Sequence, residues 1–228
     1  EQRWLPVSDA LQRIVGMLSR LLLAAAIAVV PLRAATHPHV FIDANASFVF
    51  DDEGRLSALR VRWTFDAFVS LFMIEALELD ADQDGELSDE DRARIVADQT
   101  TWPPDYDGDS YLWVSGERAA LTGPENASAD QADGRVSVTF DRLLVEPVAV
   151  SDALAKLYDP VFFYAYFVAQ DAALVNAPEG CEAEVELFEP DSELMLLQQS
   201  LMQLGIDETP EQEDVGAVFA DRILLTCA

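Results

Sequence analysis

Lysine is nearly missing from this chain. Lys156 is the single copy, and the arginines bring the basic total only to 14 against 42 acidic residues, a net charge of −28. A surface of that sign repels phosphate backbones and anionic lipid, which argues against nucleic acid as a partner. It attracts cations generally. Histidine is as scarce: His37 and His39 are both copies, one residue apart in "AATHPHVF". Cysteine is limited to Cys181 and Cys227, and neither has a histidine near it in sequence, which sets aside a catalytic thiol. No nucleophile motif is visible and no histidine–carboxylate spacing suggests hydrolysis, so no enzymatic activity is expected. The apolar run "LLLAAAIAVVPL", residues 21–32, is too short to cross a bilayer comfortably and is interrupted by Pro31.

That run does fit an export signal. Arg13 and Arg20 precede it and small residues follow it. Met17 suits the true start, with residues 1–16 an upstream over-extension. Cleavage after Ala34 leaves Leu32 at −3, whereas cleavage after Ala35 would leave Arg33 there. The reading is a signal peptide over residues 1–34 and one periplasmic domain over 35–228, in a Gram-negative bacterium; an uncleaved membrane anchor is the alternative. Half of the residues are apolar, which supports a packed core rather than disorder. Export places the chain in an oxidising space, where Cys181 and Cys227 are expected to pair. Two free thiols are the alternative.

The hydropathy pattern predicts an α+β fold, mainly antiparallel sheet. Residues 40–50 alternate, with Ile42, Ala44, Ala46, Phe48 and Phe50 on one face. "DDEG" turns the chain, and Leu59, Val61 and Trp63 alternate with Arg60 and Arg62 as the return strand. The period then becomes helical: Phe68, Leu71, Phe72 and Leu79 form a stripe behind Asp66 as N-cap, and a second short helix covers residues 89–98. "YLWVSGERAAL" reads as a hairpin about Gly116, and "GPENASADQADGR" as a polar loop. "VSVTF" and "VEPVAV" are strands. "PVFFYAYFVA", residues 160–169, reads as a strongly buried strand, followed by "AALVN". In "EAEVELF", Ala183, Val185 and Leu187 point inward. Leu194, Leu197, Leu201 and Leu204 mark a C-terminal helix that stops at Gly205. "ADRILLTC" is the closing strand.

Between the two predicted helices, residues 80–91 read "DADQDGELSDED", close to a calcium-binding EF-hand loop. Asp80, Asp82 and Asp84 alternate so that their carboxylates converge, Gly85 permits the turn, Glu86 offers its carbonyl, and Leu87 plugs the loop into the core. An EF-hand-like insertion over residues 67–99 follows. The twelfth residue is Asp91, where a bidentate Glu is usual. The shorter side chain weakens calcium or favours a magnesium-like shell, and a single extracellular loop implies a dissociation constant on the order of 0.1–1 mM. "DYDGD", residues 105–109, is too short for such a loop and reads as an acidic turn.

The histidines offer a second, softer site. If the signal is cut after Ala34, the new terminus Ala35-Thr36-His37 presents a square-planar nitrogen set suited to Cu(II) or Ni(II). More broadly, His37 and His39 sit two apart on an extended chain, share a face, and suit Zn, Ni, Co or Cu. Asp66 and Asp159, each beside an aromatic-rich segment, are the candidate carboxylate partners.

Several stretches in order, "HPHVFIDA", "LRVRWTFDAFVS", "DADQDGELSDED", "LYDPVFFYAYF" and "GAVFADRILLTC", resemble a domain-of-unknown-function family of bacterial exported proteins described as the periplasmic component of an uncharacterised ABC-type transport system. The resemblance covers almost the whole chain after residue 34. Within it His37, His39, Trp63, Asp66, Asp159 and the acidic loop match the family pattern, and Asp91 departs from it. It implies a periplasmic metal-binding accessory of zinc, nickel or cobalt transport, with inner-membrane transporter components as partners. A calcium-stabilised structural or adaptor protein without a transition-metal role is the other expectation.

Overall fold

Strict alternation at the start of the domain produces its central hairpin. In the computed structural model, which describes residues 38–205 and 207–228, β1 (Val40–Phe50) and β2 (Leu56–Phe65) pair antiparallel with Ala46 opposite Val61. Ile42, Ala44, Ala46, Phe48 and Phe50 are all buried, as are Leu59, Val61 and Trp63. Asp51 closes the turn by accepting from the backbone N–H groups of Glu53 and Arg55. The predicted signal segment, its cleavage site and His37 lie outside the described residues; Ala35–Ala228 forms one compact unit.

Two sheets share the core. The first has the order β5-β6-β2-β1-β8, with β5 at Leu121–Ala132, β6 at Arg135–Val148 and β8 at Tyr164–Val168; β9 (Ala173–Val175) also pairs with β1. The second runs β10-β11-β7-β3-β4, from β10 (Cys181–Glu186) through β11 (Arg222–Cys227), β7 (Asp152–Leu157) and β3 (Ser110–Val114) to β4 (Glu117–Arg118). Leu112, Ala155, Leu157, Ile223 and Leu225 of the second sheet join Phe48, Val61, Val138 and Phe140 of the first in one apolar cluster. All pairings are antiparallel except those of β8 and β9 with β1, which are parallel. The fold is α+β and mainly antiparallel, as the pattern predicted.

Four helices are described: α1 (Ala67–Ala76), α2 (Asp89–Thr100), α3 (Ser192–Leu201) and α4 (Gly216–Phe219). The first corrects a prediction. Phe68, Leu71 and Phe72 face outward, and Ser70 and Met73 are the buried residues. The segment is apolar on both faces, so periodicity alone picked the wrong one. On α3 the predicted stripe holds: Leu201 packs against Phe162 and Val215, with Leu197 and Leu204 beside them. The helix ends at Leu201, short of Gly205.

Four other predictions are corrected. The polar stretch ahead of residue 135 is strand, not loop, because β5 lies at a sheet edge and has little apolar face to show. The two strands expected after it are one continuous strand, β6. Of residues 160–169 only Tyr164–Val168 is strand, since the first four residues form a turn. Leu187 lies past the end of β10 and is exposed.

Cys181 and Cys227 face each other in register across β10 and β11 and are joined as a disulfide. The bond closes a sequence separation of 46 residues, worth about 4 kcal/mol in the chain-entropy account. Changing both to serine should therefore lower the melting temperature by about 10 °C in calorimetry. A double variant melting within a degree or two of wild type would show that strand pairing already holds the two ends together.

Candidate functional site

A cleft of about 1090 Å³ opens where the two aromatic-rich segments meet the helix pair. Its floor is Trp63 of β2, whose indole lies edge-on to Phe140 with centroids 4.8 Å apart. Trp102 and Tyr166 stand about it at 6.2 and 6.1 Å. The Trp63 Nε1 is buried and meets no acceptor among the described residues. Trp102 is fixed by donating Nε1–H to the Gln99 carbonyl at 2.6 Å and by the Arg142 guanidinium over its ring. It also requires a glycine next to it: a Cβ at Gly108, where φ is +65°, would sit 2.3 Å from the ring.

Asp109 lies inside this aromatic set, 2 % exposed. Tyr166 donates its hydroxyl to Asp109 Oδ2 at 2.7 Å, and the Tyr106 phenol is a second influence on the same carboxyl. Burial is the main influence and pushes the carboxyl from its ordinary 3.8 up to about 7; the Tyr166 bond opposes that rise and the nearby charge of Asp159 adds to it. Burial likewise pushes the phenols of Tyr106, Tyr164 and Tyr166 up.

Asp159 is the other buried carboxylate of the cleft and has a structural task. Oδ1 accepts from Val161 N–H at 3.0 Å, and Oδ2 from Phe163 and Tyr164 N–H at 2.8 and 3.0 Å. The turn leading into β8 is thus tied to one side chain. Its carbonyl side is packed so closely that a Cβ on Gly216 would lie 1.8 Å from the Asp159 oxygen, which only glycine avoids. Phe163 then links two predicted residues. Its N–H donates to Asp159, and its carbonyl accepts from His39 N–H at 2.8 Å; the His39 and Phe163 rings are 4.7 Å apart.

His39 and Asp159 therefore line the same cleft. Asp66 does not line it; it caps α1 by accepting from Val69 N–H at 2.8 Å. Among the described residues, the only group of three or more histidine, cysteine, aspartate or glutamate side chains with mutually close ligand atoms is Asp80, Asp82 and Asp84, within 4.8 Å. Asp80 accepts from the backbone N–H groups of Asp84 and Gly85. Leu79 and Leu87, flanking the loop, are buried. Glu86 is exposed and stands apart from the three. Asp91 is turned to its own helix: it accepts from Ser88 N–H and Oγ while Ser88 caps α2. Those bonds to Ser88 hold the Asp91 carboxyl below its usual value.

Sequence reasoning passed over Asp109, Tyr106, Trp102 and Tyr166. "DYDGD" was readable only as an acidic turn; its signal was a tyrosine and a glycine next to the tryptophan of "TWPP". A family model described as a protein of unknown function, DUF1007, matches residues 22–227. No curated protein matches the chain.

The buried carboxyl makes stability depend on pH. A group whose native pKa is raised contributes fully below its unfolded value and loses that contribution as pH climbs through the native one. For Asp109 the window runs from about 4 to about 7, and the change is at most roughly 4 kcal/mol. Asp109→Asn stays neutral throughout. In urea unfolding the variant should match wild type near pH 4 and exceed it near pH 8, and parallel pH profiles would refute the assignment.

Proposed function

The chain belongs to the DUF1007 family, and we propose that it is a periplasmic metal-binding accessory of a transition-metal transport system. In this reading it takes zinc, nickel or cobalt through His37 and His39 and passes the ion to inner-membrane transporter components. The observation that carries it is the pair of bonds at Phe163, which puts His39 and Asp159 in one cleft on two sides of a single residue. Imidazole is a donor for borderline cations, and the acidic chain concentrates them. His39 is the principal donor from the described residues. Asp159 already serves three N–H groups and adds charge more than a free ligand, and Asp66 is engaged as a helix cap.

Residues 80–91 are read as an EF-hand-like loop for a hard cation, calcium or magnesium. Three carboxylates with ligand atoms within 4.8 Å repel one another, and an oxygen-seeking divalent ion relieves that repulsion. Asp80, Asp82 and Asp84 would hold it. Glu86 by its carbonyl and Asp91 on rotation away from Ser88 would complete the shell. The ion's part is structural: it joins the end of α1 to the start of α2.

The adaptor reading is favoured by a different observation, the outward face of α1 with Phe68, Leu71 and Phe72 exposed. It keeps the calcium-type loop and needs no transition ion.

Titration calorimetry with zinc, nickel and cobalt separates the two. His37→Ala with His39→Ala should weaken binding by at least roughly tenfold, about 1.4 kcal/mol; unchanged affinity leaves only the adaptor. The loop is tested apart from it. At calcium ten times its dissociation constant, wild type should gain about 1.4 kcal/mol and melt several degrees higher. Asp80→Asn with Asp84→Asn should lose that gain and, without calcium, melt no lower than wild type; a calcium response as large as wild type's would remove the loop from the site.

A further inference from the structure

We propose that the aromatic cleft and the outer face of α1 form one docking groove for a basic, apolar polypeptide segment of a partner protein. The proposal does not rest on the transition-metal reading. Its first support is α1 itself. Apart from Ser70 and Glu75 the helix is apolar, and a helix so apolar is normally covered on every side. The domain covers only the face with Ser70 and Met73, leaving Phe68 80 %, Leu71 65 % and Phe72 67 % exposed. Three large apolar side chains within two turns make a contiguous patch of the kind that marks an interaction site.

The second support is continuity. Phe68 and Phe72 are also walls of the cleft, so apolar surface runs without a break from the helix down to Trp63 and Trp102. A cleft of about 1090 Å³ accepts several side chains of an inserted segment. A small molecule held inside it would leave Leu71 uncovered. Anchor side chains in the cleft with a backbone lying along α1 would cover both, as in helix-in-groove recognition.

Charge selects the occupant. Among the described residues the cleft is lined by the carboxylates of Asp98, Asp105 and Asp159, beside the buried Asp109, and by no lysine or arginine. A second copy of this chain would bring another net charge of −28 and the same carboxylates to the interface. An anionic lipid surface is repelled for the same reason. A segment alternating apolar anchors with lysine or arginine satisfies both the walls and the rim.

The probe is a short synthetic helical peptide of leucine and lysine, followed by fluorescence anisotropy with the purified full chain. Oligolysine of equal charge serves as the comparison. The leucine–lysine peptide should bind at least roughly tenfold more tightly than oligolysine, and Phe68→Ser with Phe72→Ser should lose that margin. Both phenylalanines are exposed, so the variant's melting temperature should match wild type. Equal binding of the two peptides, or full binding by the variant, overturns the groove. Complete displacement of the peptide by one equivalent of a small aromatic amine overturns it too, by assigning the cleft to a small organic cation. Zinc affinity unchanged by the histidine substitutions, with peptide binding kept, would fail the metal reading alone.

Discussion

Three backbone N–H groups converging on the Asp159 carboxylate are the constraint on which the site depends. A turn that enters a strand must satisfy its donors somewhere, and here the Asp159 side chain takes three of them while its backbone carbonyl takes the Phe162 N–H. With the turn closed, Phe163 presents its carbonyl to His39 and β8 runs on in parallel register beside β1, Val40 against Tyr164. Parallel neighbours cannot be joined by a tight turn, so nothing local in the sequence announces this pairing. The same register sets Tyr166 where its hydroxyl meets Asp109. One carboxylate thus positions the strand that supplies a phenol to the other.

The two carboxylates show how burial divides similar groups into different roles. Asp159 is bonded by backbone donors, whereas Asp109 has phenols alone to offset its loss of water. Phenols are weaker compensation than three amides. The outcome is a proton held near neutrality at the back of an aromatic cleft, in a chain otherwise dominated by ionised acids. Its surroundings are made rigid by Arg142, which is buried and gives its protons to Ser110 and to the carbonyl of Thr122 rather than to a carboxylate. Desolvation lowers even that guanidinium's pKa.

Much of the frame was legible in the sequence. Alternation in residues 40–50 and 59–63 marks the central hairpin, the leucine spacing marks α3, and a lone pair of cysteines points to the bond between β10 and β11. The acidic loop was legible because its spacing is itself the geometry: carboxylates two apart around a turn converge without help from the rest of the fold. What failed was everything set by non-local context. The polar β5 is a strand because a neighbour in the sheet supplies its pairing, and Phe68 and Phe72 face outward because Ser70 and Met73 meet the domain first. Ser70 even donates to Phe65 and accepts from Val136 N–H, a polar anchor that hydropathy counts against burial. Asp109 was hidden for the same reason, since its environment comes from residues as distant as Tyr166.

The loop and the cleft share their walls, and this gives the proposed cation a consequence beyond local bracing. α1 contributes Phe68 and Phe72 to the cleft, and α2 contributes Asp98 and Gln99. Residues 80–91 join these two helices. Any ion that draws Asp80, Asp82 and Asp84 together shortens the range of separations open to the helix ends. The cleft would then be narrower in its fluctuations when the loop is filled and wider when it is empty, so filling the loop and filling the groove would favour each other. By linkage such a coupling would be reciprocal: a partner seated against Phe68 and Phe72 would raise the loop's affinity for the proposed cation by the same factor. A loop of millimolar strength suits that arrangement, since a site already saturated could not respond to the partner.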